Sequence, residues 1–171
     1  MPDALLDQLK SRAEITEVVL AYVRGIDRCD EALLRSCFHP DARHKHGGFE
    51  GLSSDFCGRA MEICRGVVST HHQLGPVSID LRGEIAFTET YFTAHHRFGP
   101  TPPAGGRAHE DRFMGGRYID RFERRDGVWK IAQRTGVNDW LRYEASADGG
   151  FWDGPADQRG RRDESDPVYS R

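Results

Sequence analysis

Between Asp3 and Ile26 the apolar residues Leu5, Leu6, Leu9, Ala13, Ile15, Val18, Val19, Tyr22, Val23 and Ile26 recur in steps of three and four. That period puts them on one face of an amphipathic helix, with Gly25 marking its frayed end. Asp30 can cap a short second helix carrying Ala32, Leu33, Leu34 and Cys37, which Pro40 stops. A third helix is predicted from Ser53 or Ser54 as cap to about Val68, because Phe56, Cys57, Ala60, Ile63, Cys64 and Val67 fall on one stripe. A strand near Ala42 to His46 interrupts this helical part.

The period then changes. Residues 77–82, 84–98, 112–124 and 127–140 alternate or carry β-branched and aromatic side chains, with turn signals at Arg82-Gly83 and Asp126-Gly127. Four strands in a meander follow from that pattern. Helices first and an antiparallel sheet afterwards is the α+β arrangement, with three N-terminal helices covering one face of a strongly curved, mostly antiparallel sheet. A sheet that curls around helices leaves a cone with an open mouth, suited to a small-molecule pocket. Residues 99–111 form a Pro/Gly-rich loop. Residues 144–171 read as a C-terminal tail whose Phe151, Trp152 and Tyr169 favour docking, as a lid or an oligomer contact, on a domain spanning residues 1–143.

Composition narrows the classes of function. The chain has 171 residues and a formal net charge of −3, so no domain-wide basic field draws it to nucleic acid or an anionic membrane. Its longest apolar run, Val18 to Val23, is far below the ~20 residues that span a bilayer. The opening MPDALLDQLK carries acids where a secretory signal carries bases, and a cytoplasmic protein is expected. Cys29, Cys37, Cys57 and Cys64 show no CxxC spacing and read as idle thiols. There is no GxGxxG, Walker or GxSxG pattern. The arginines at 107, 112, 117, 121, 124 and 125 are interleaved with Glu110, Asp111, Asp120 and Glu123, as on a solvated strand edge or oligomer contact.

Candidate chemistry lies in the histidines. Six of the eight come in close pairs: His44 with His46, His71 with His72, and His95 with His96. Alternation decides which members face inward. Arg43 and Lys45 belong in water, which turns His44 and His46 toward the helices. The sequence Thr70, His72, Leu74 gives the inward place to His72. Parity with Phe87, Tyr91 and Thr93 favours His95 over His96, and a bulge would reverse that choice. Asp27 adds a carboxylate at the end of the buried helical stripe, where the macrodipole disfavours an acid by ~0.3–1 kcal/mol. It serves either an Asx turn around Gly25-Ile26-Asp27 or the orientation of a histidine.

The stretches AEITEVVLAYVRGIDRCD (13–30), FHPDAR (38–43), STHHQLG (69–75) and GGRYIDRFERRDGVWKIAQR (115–134) resemble the SnoaL-like branch of the NTF2-like superfamily. The resemblance covers about residues 8–142 and is closest to scytalone dehydratase and hexachlorocyclohexane dehydrochlorinase type proteins. It implies the same cone and an Asp-His pair that removes a proton from substrate carbon, falling on Asp27 in GID and on His72. A second dehydratase histidine, in the pattern His-x-Arg-aromatic, falls on His95. A substrate-polarising tyrosine of the family is replaced here by His46, and a late asparagine by Tyr118. The family associates through its exposed sheet, implying a homodimer or homotrimer.

Histidine suits this role because its ordinary pKa of ~6.5 leaves much of it free as a base at neutral pH, while a carboxylate on Nδ1–H fixes the tautomer and stabilises the imidazolium. Asp27 would orient, His72 abstract, and His95 assist. His46, Tyr118, Tyr22 and Tyr91 are candidates to bind substrate and stabilise the developing oxyanion. An HxH face with His72 or His95 and Asp27 could also ligate a metal. The dyad explains the same residues without an ion, so no metal or cofactor is expected. The expected function is a cofactor-free lyase on a small aromatic or polyketide-like alcohol. An isomerase or aldol-type cyclase and a non-catalytic binding or assembly domain are the alternatives.

Overall fold

The computed structural model describes residues 2–147 and 155–170. Their elements are α1 (Pro2–Asp27), α2 (Glu31–Ser36), β1 (Phe38–His46), β2 (Phe49–Leu52), α3 (Ser53–Arg65), β3 (Ser69–Arg82), β4 (Ile85–Arg97), β5 (Glu110–Arg125) and β6 (Val128–Ala145). Short 3₁₀ turns follow at Ala156–Gln158 and Pro167–Tyr169. The strands form one mixed sheet in the order β2-β1-β6-β5-β4-β3, antiparallel except for β1 beside β6. α1 lies across β3 and β6, and α3 across β1 and β2, so the helices share one face.

The meander of β3 to β6 follows the turn signals. Two strand features escape the alternation. β2 follows Gly47 and Gly48, whose φ of 55° and 81° make the two-residue turn that matches strand twist. β3 begins at Ser69 instead of Val77, because an extra residue between Leu74 and Val77 shifts the register and hides the period. β6 also runs to Ala145, inside the stretch read as tail.

Helix ends differ from expectation for steric reasons. α1 continues past Gly25 to Asp27. A Cβ at Gly25 would lie 2.9 Å from the Leu34 backbone nitrogen, so this glycine serves the approach of α2. The helix then closes with Cys29 in the left-handed region (φ 54°), Cys29 N–H on the Ile26 carbonyl and Asp30 N–H on the Gly25 carbonyl. That is a Schellman closure, not an Asx turn at Asp27. Asp30 caps α2 as expected, its side chain accepting from Leu33 N–H. α2 ends at Ser36, and Pro40 lies within β1 at the register shift between Phe38 and Arg43, where a missing N–H costs no ladder bond. α3 has Leu52 at its cap with no side-chain cap bond, and it ends at Arg65 because Val68 N–H is taken by the Arg97 carbonyl at the sheet.

The core lies between α1 and the concave side of the sheet. Ile15, Val19, Tyr22, Val23 and Ile26 are buried, whereas Leu5, Leu6 and Leu9 in the first turns are exposed. β4 turns Ala86, Thr88, Thr90, Phe92 and Ala94 inward, and these mostly small side chains let the helix come close. Outside, arginines and acids pair with one another, as in Arg117 with Glu89 and Asp139, and Arg125 with Asp41 and Glu123. No helix among the described residues is long and apolar enough to cross a membrane.

The close approach at Gly25 generates a test. Gly25→Ala should lower the unfolding free energy by about 1–3 kcal/mol in urea denaturation, the cost of overpacking a backbone contact, despite alanine's better helix propensity. An unchanged or raised midpoint would show that α2 moves freely away.

Candidate active site

The last helical residue of α1 sits against the start of β3. Asp27 Oδ1 accepts from His72 Nδ1 at 2.7 Å and from Thr70 Oγ1 at 2.9 Å, and Oδ2 accepts from the His72 backbone N–H at 2.8 Å. Burial opposes ionisation of Asp27, but the hydrogen bonds and charge of His72 together with the Thr70 hydroxyl outweigh it and hold the carboxyl below its ordinary range. An ionised Asp27 demands the proton on Nδ1, leaving Nε2 of His72 with its lone pair. The His72 side chain is 8% exposed.

His72 lines a cavity of about 260 Å³ between the helices and the concave sheet. Tyr22, Phe49, Phe56 and Tyr118 supply aromatic walls, while His46, His96 and Asn138 bring polar atoms. His96 faces His72 with ring centroids 5.3 Å apart, and its Nε2 is buried with no hydrogen-bond partner among the described residues. Tyr22 meets Tyr118 edge-on at 5.4 Å, and Phe92 stacks on Tyr118 at 4.4 Å.

Beneath the two tyrosines lies a fully buried ion pair. Arg134 donates to both Asp120 oxygens at 2.7 and 2.6 Å, and its guanidinium stands 3.9 Å from the Tyr22 ring centroid and 4.4 Å from that of Tyr118. Burial pushes the Tyr22 phenol up to about 12 against the opposing Arg134 charge, and it raises Tyr118 well above its ordinary value. Both phenols therefore stay protonated and able to donate.

The seven candidates from the sequence thus sort into two groups. Asp27 and His72 meet, and Tyr22, Tyr118 and His46 line the cavity that His72 enters. His95 and Tyr91 do not. β4 pairs with β5 without a bulge from Ile85 to Arg97, so the strand keeps one parity, and its inner face is the one carrying Phe92, Ala94 and His96. The concave side accommodates alanines and threonines better than the larger Phe87, Tyr91 and His95, which point outward; Tyr91 is 58% exposed. His95 instead bonds Asp111 at 3.0 Å and stacks on Phe113. His96 occupies the position expected of His95.

Asp120 is one of the charges read from the sequence as a solvated strand edge, although it shares the parity of the buried Tyr118 and Phe122, and Arg134 is not singled out by the sequence at all. A larger groove of about 1080 Å³ opens on the other side of Asp27, lined by Arg24, Arg28, His95, Arg97 and Arg162. His72 is not among the residues that line it, so its ring belongs to the smaller cavity. Among the described residues no three of His, Cys, Asp or Glu converge as a metal site would require. Phe151 and Trp152, expected to dock the tail, lie outside the described residues, while Tyr169 stands under the Arg24 guanidinium at 5.8 Å.

A helix-end carboxylate locked to a histidine at the foot of a curved sheet agrees with a family match. The SnoaL-like domain model fits residues 7–135. The chain belongs to the SnoaL-like domain family. Solved structures share its fold. They include a type 3 hexachlorocyclohexane dehydrochlorinase from Novosphingobium barchaimii LL02, at 21% identity and TM-score 0.68 over 83% of this chain and 95% of that one. A candidate scytalone dehydratase from Novosphingobium aromaticivorans DSM 12444 has 20% identity and TM-score 0.68 over 87% of this chain and 98% of that one. The Kfla4162 protein from Kribbella flavida has 15% identity and TM-score 0.69 over 79% and 95%. None of the curated proteins matches the sequence.

The histidines around the dyad of this SnoaL-like domain are held neutral, although Arg59 and Arg112 also line the cavity. Burial pushes His44 down to about 2, His46 to about 4 and His96 to about 3, with Arg134 adding to the first two and the His72 charge to the third. The unfolded chain binds these protons near 6.5, so their contribution to stability is complete above that pH and is lost as pH falls below it. Unfolding free energy measured in urea should therefore drop from pH 7 to pH 5, by up to about 1.4 kcal/mol per histidine per pH unit. His44→Phe should flatten that slope by about one proton, since His44 stacks on Phe56 at 3.5 Å and neither ring nitrogen has a hydrogen-bond partner among the described residues. Equal stability at both pH values would contradict the burial of neutral rings.

Proposed function

We propose that this SnoaL-like domain is a cofactor-free lyase acting on a small aromatic or polyketide-like alcohol, from which it removes water or a small carbonyl fragment. The observation that carries the reading is the His72 ring, held by Asp27 through Nδ1 and turned into an aromatic-walled cavity. His72 Nε2 takes a proton from the substrate, and Asp27 stabilises the imidazolium that forms. The Tyr22 and Tyr118 phenols, kept protonated by burial, donate to the oxygen on which charge develops. When water is lost, the proton comes from carbon and His72 returns it to the departing hydroxyl. When a carbonyl fragment is lost, the proton comes from the substrate hydroxyl, the carbon–carbon bond breaks to form the departing carbonyl, and His72 returns the proton to the carbon left behind. His46 and His96, kept neutral, can each hydrogen-bond substrate without repelling the imidazolium. The aromatic walls favour a flat substrate. Structural neighbours that include dehydrochlorinase and dehydratase proteins support an elimination.

The test is mass spectrometry of products from a panel of aromatic and polyketide alcohols and diols, with wild type, His72→Ala and Asp27→Asn. A mass loss that falls by about 10²–10⁴-fold in both variants is expected. Wild-type turnover in either variant would refute the dyad. A product of unchanged mass would assign an isomerase or cyclase, and binding without conversion a ligand-binding domain.

A further inference from the structure

The dyad is also held from behind, on the side away from the cavity, by a residue 135 positions along the chain from Asp27. Arg162 donates from Nε to the Asp27 main-chain carbonyl at 3.1 Å. Its Nη1 donates to the carbonyls of Cys64 at 2.6 Å and Val67 at 3.1 Å, and its Nη2 to Thr70 Oγ1 at 3.3 Å.

Two of these acceptors end helices. Asp27 is the last residue of α1 and Cys64 belongs to the last turn of α3, where carbonyls lack intrahelical partners and the dipole is negative. One guanidinium thus closes both helix ends and joins them to the start of β3. Its rigid fork of donors suits that task better than a flexible ammonium.

The fourth contact reaches the chemistry. The Thr70 hydroxyl has one proton, and accepting from Arg162 leaves it to donate to Asp27 Oδ1, the oxygen that also receives His72 Nδ1–H. Arg162 therefore fixes Asp27 at its backbone and, through Thr70, at its carboxylate. It does not line the cavity. The segment that carries it is anchored next door: buried Asp166 accepts from Arg28 Nη1 at 2.5 Å and from the Arg161 and Val168 N–H groups, and Arg28 also donates to the Arg161 carbonyl.

We propose that Arg162 is a positioning residue of the His72–Asp27 pair, so that the C-terminal segment completes the active site and acts on proton abstraction, not on substrate affinity. The proposal rests on the reading of His72 as base, and its test is built to fail separately from that reading.

The experiment compares the full-length protein with Arg162→Ala, Arg162→Lys and Tyr169→Ala by NMR of the His72 imidazole. Asp27→Asn identifies the downfield Nδ1–H resonance by abolishing it. The resonance should vanish and the His72 titration should move in Arg162→Ala, with partial retention in Arg162→Lys. Millimolar guanidinium should restore Arg162→Ala. On a confirmed substrate, kcat should fall about 10- to 100-fold with KM little changed. Tyr169→Ala, which loosens the same segment without touching the dyad, should behave as wild type. A folded Arg162→Ala with the wild-type resonance and titration overturns the proposal, as does an equal change in Tyr169→Ala. If Arg162→Ala does not fold, an unperturbed His72 in Arg162→Lys overturns it. Full turnover by His72→Ala would instead refute the base, leaving the NMR outcome to stand on its own.

Discussion

The interaction on which the rest depends is the seat of the Asp27 carboxylate. An acid at a helix C-terminus faces the negative end of the dipole, and partial burial raises the cost. Three donors from two residues of β3 reverse that balance, each hydrogen bond to a charged group being worth about 1.5–3 kcal/mol. The same contacts set where α1 meets β3. They consequently fix the rotation of the helix, and with it the inward direction of Tyr22, one and a half turns earlier. Stability and chemistry share one set of atoms: the carboxylate that locks helix to strand also dictates which nitrogen of His72 carries the proton.

The second organising element is the Asp120–Arg134 pair beneath the tyrosines. Burying both charges is expensive, and only bidentate geometry with aromatic faces over the cation makes it tolerable. Its influence passes outward. The Arg134 charge helps keep His44 and His46 unprotonated, while it opposes but does not overcome the burial that holds Tyr22 protonated. The His46, His96, Tyr22 and Tyr118 side chains are thereby left as neutral donors and acceptors around one histidine that has an ionised partner, with Arg59 and Arg112 also on the cavity wall. In such surroundings protonation is disfavoured at His44, His46 and His96, while His72 alone among these rings has a carboxylate partner.

Much of this was legible in the sequence. Three- and four-residue spacing located the helices, two-residue alternation and Gly-containing turns located the meander, and an acid at the end of a buried stripe marked Asp27 as a residue needing a partner. The repeated His pairs pointed to a site built from several strands, and charged neighbours of His44 and His46 settled which way those two faced. Register shifts were less visible: the extra residue in β3 after Leu74 breaks the period that would have extended the strand back to His72.

Sequence by itself thus determined the order of elements and the α+β architecture, because periodicity and local chemistry are properties of neighbouring residues, and it marked Asp27 and His72 as candidates whose pairing was implied by the resemblance to the SnoaL-like family. Tertiary structure decided which side of β4 became the interior. Alternation defines two faces without ranking them, and curvature around α1 placed the small side chains inside, so that His96 entered the cavity and His95 and Tyr91 did not. It alone decided that a buried Arg134 would stand under the tyrosines, and that Arg162 would reach the back of Asp27. Contacts between residues distant in the chain depend on how helices and sheet close upon one another, and no local pattern carries that information.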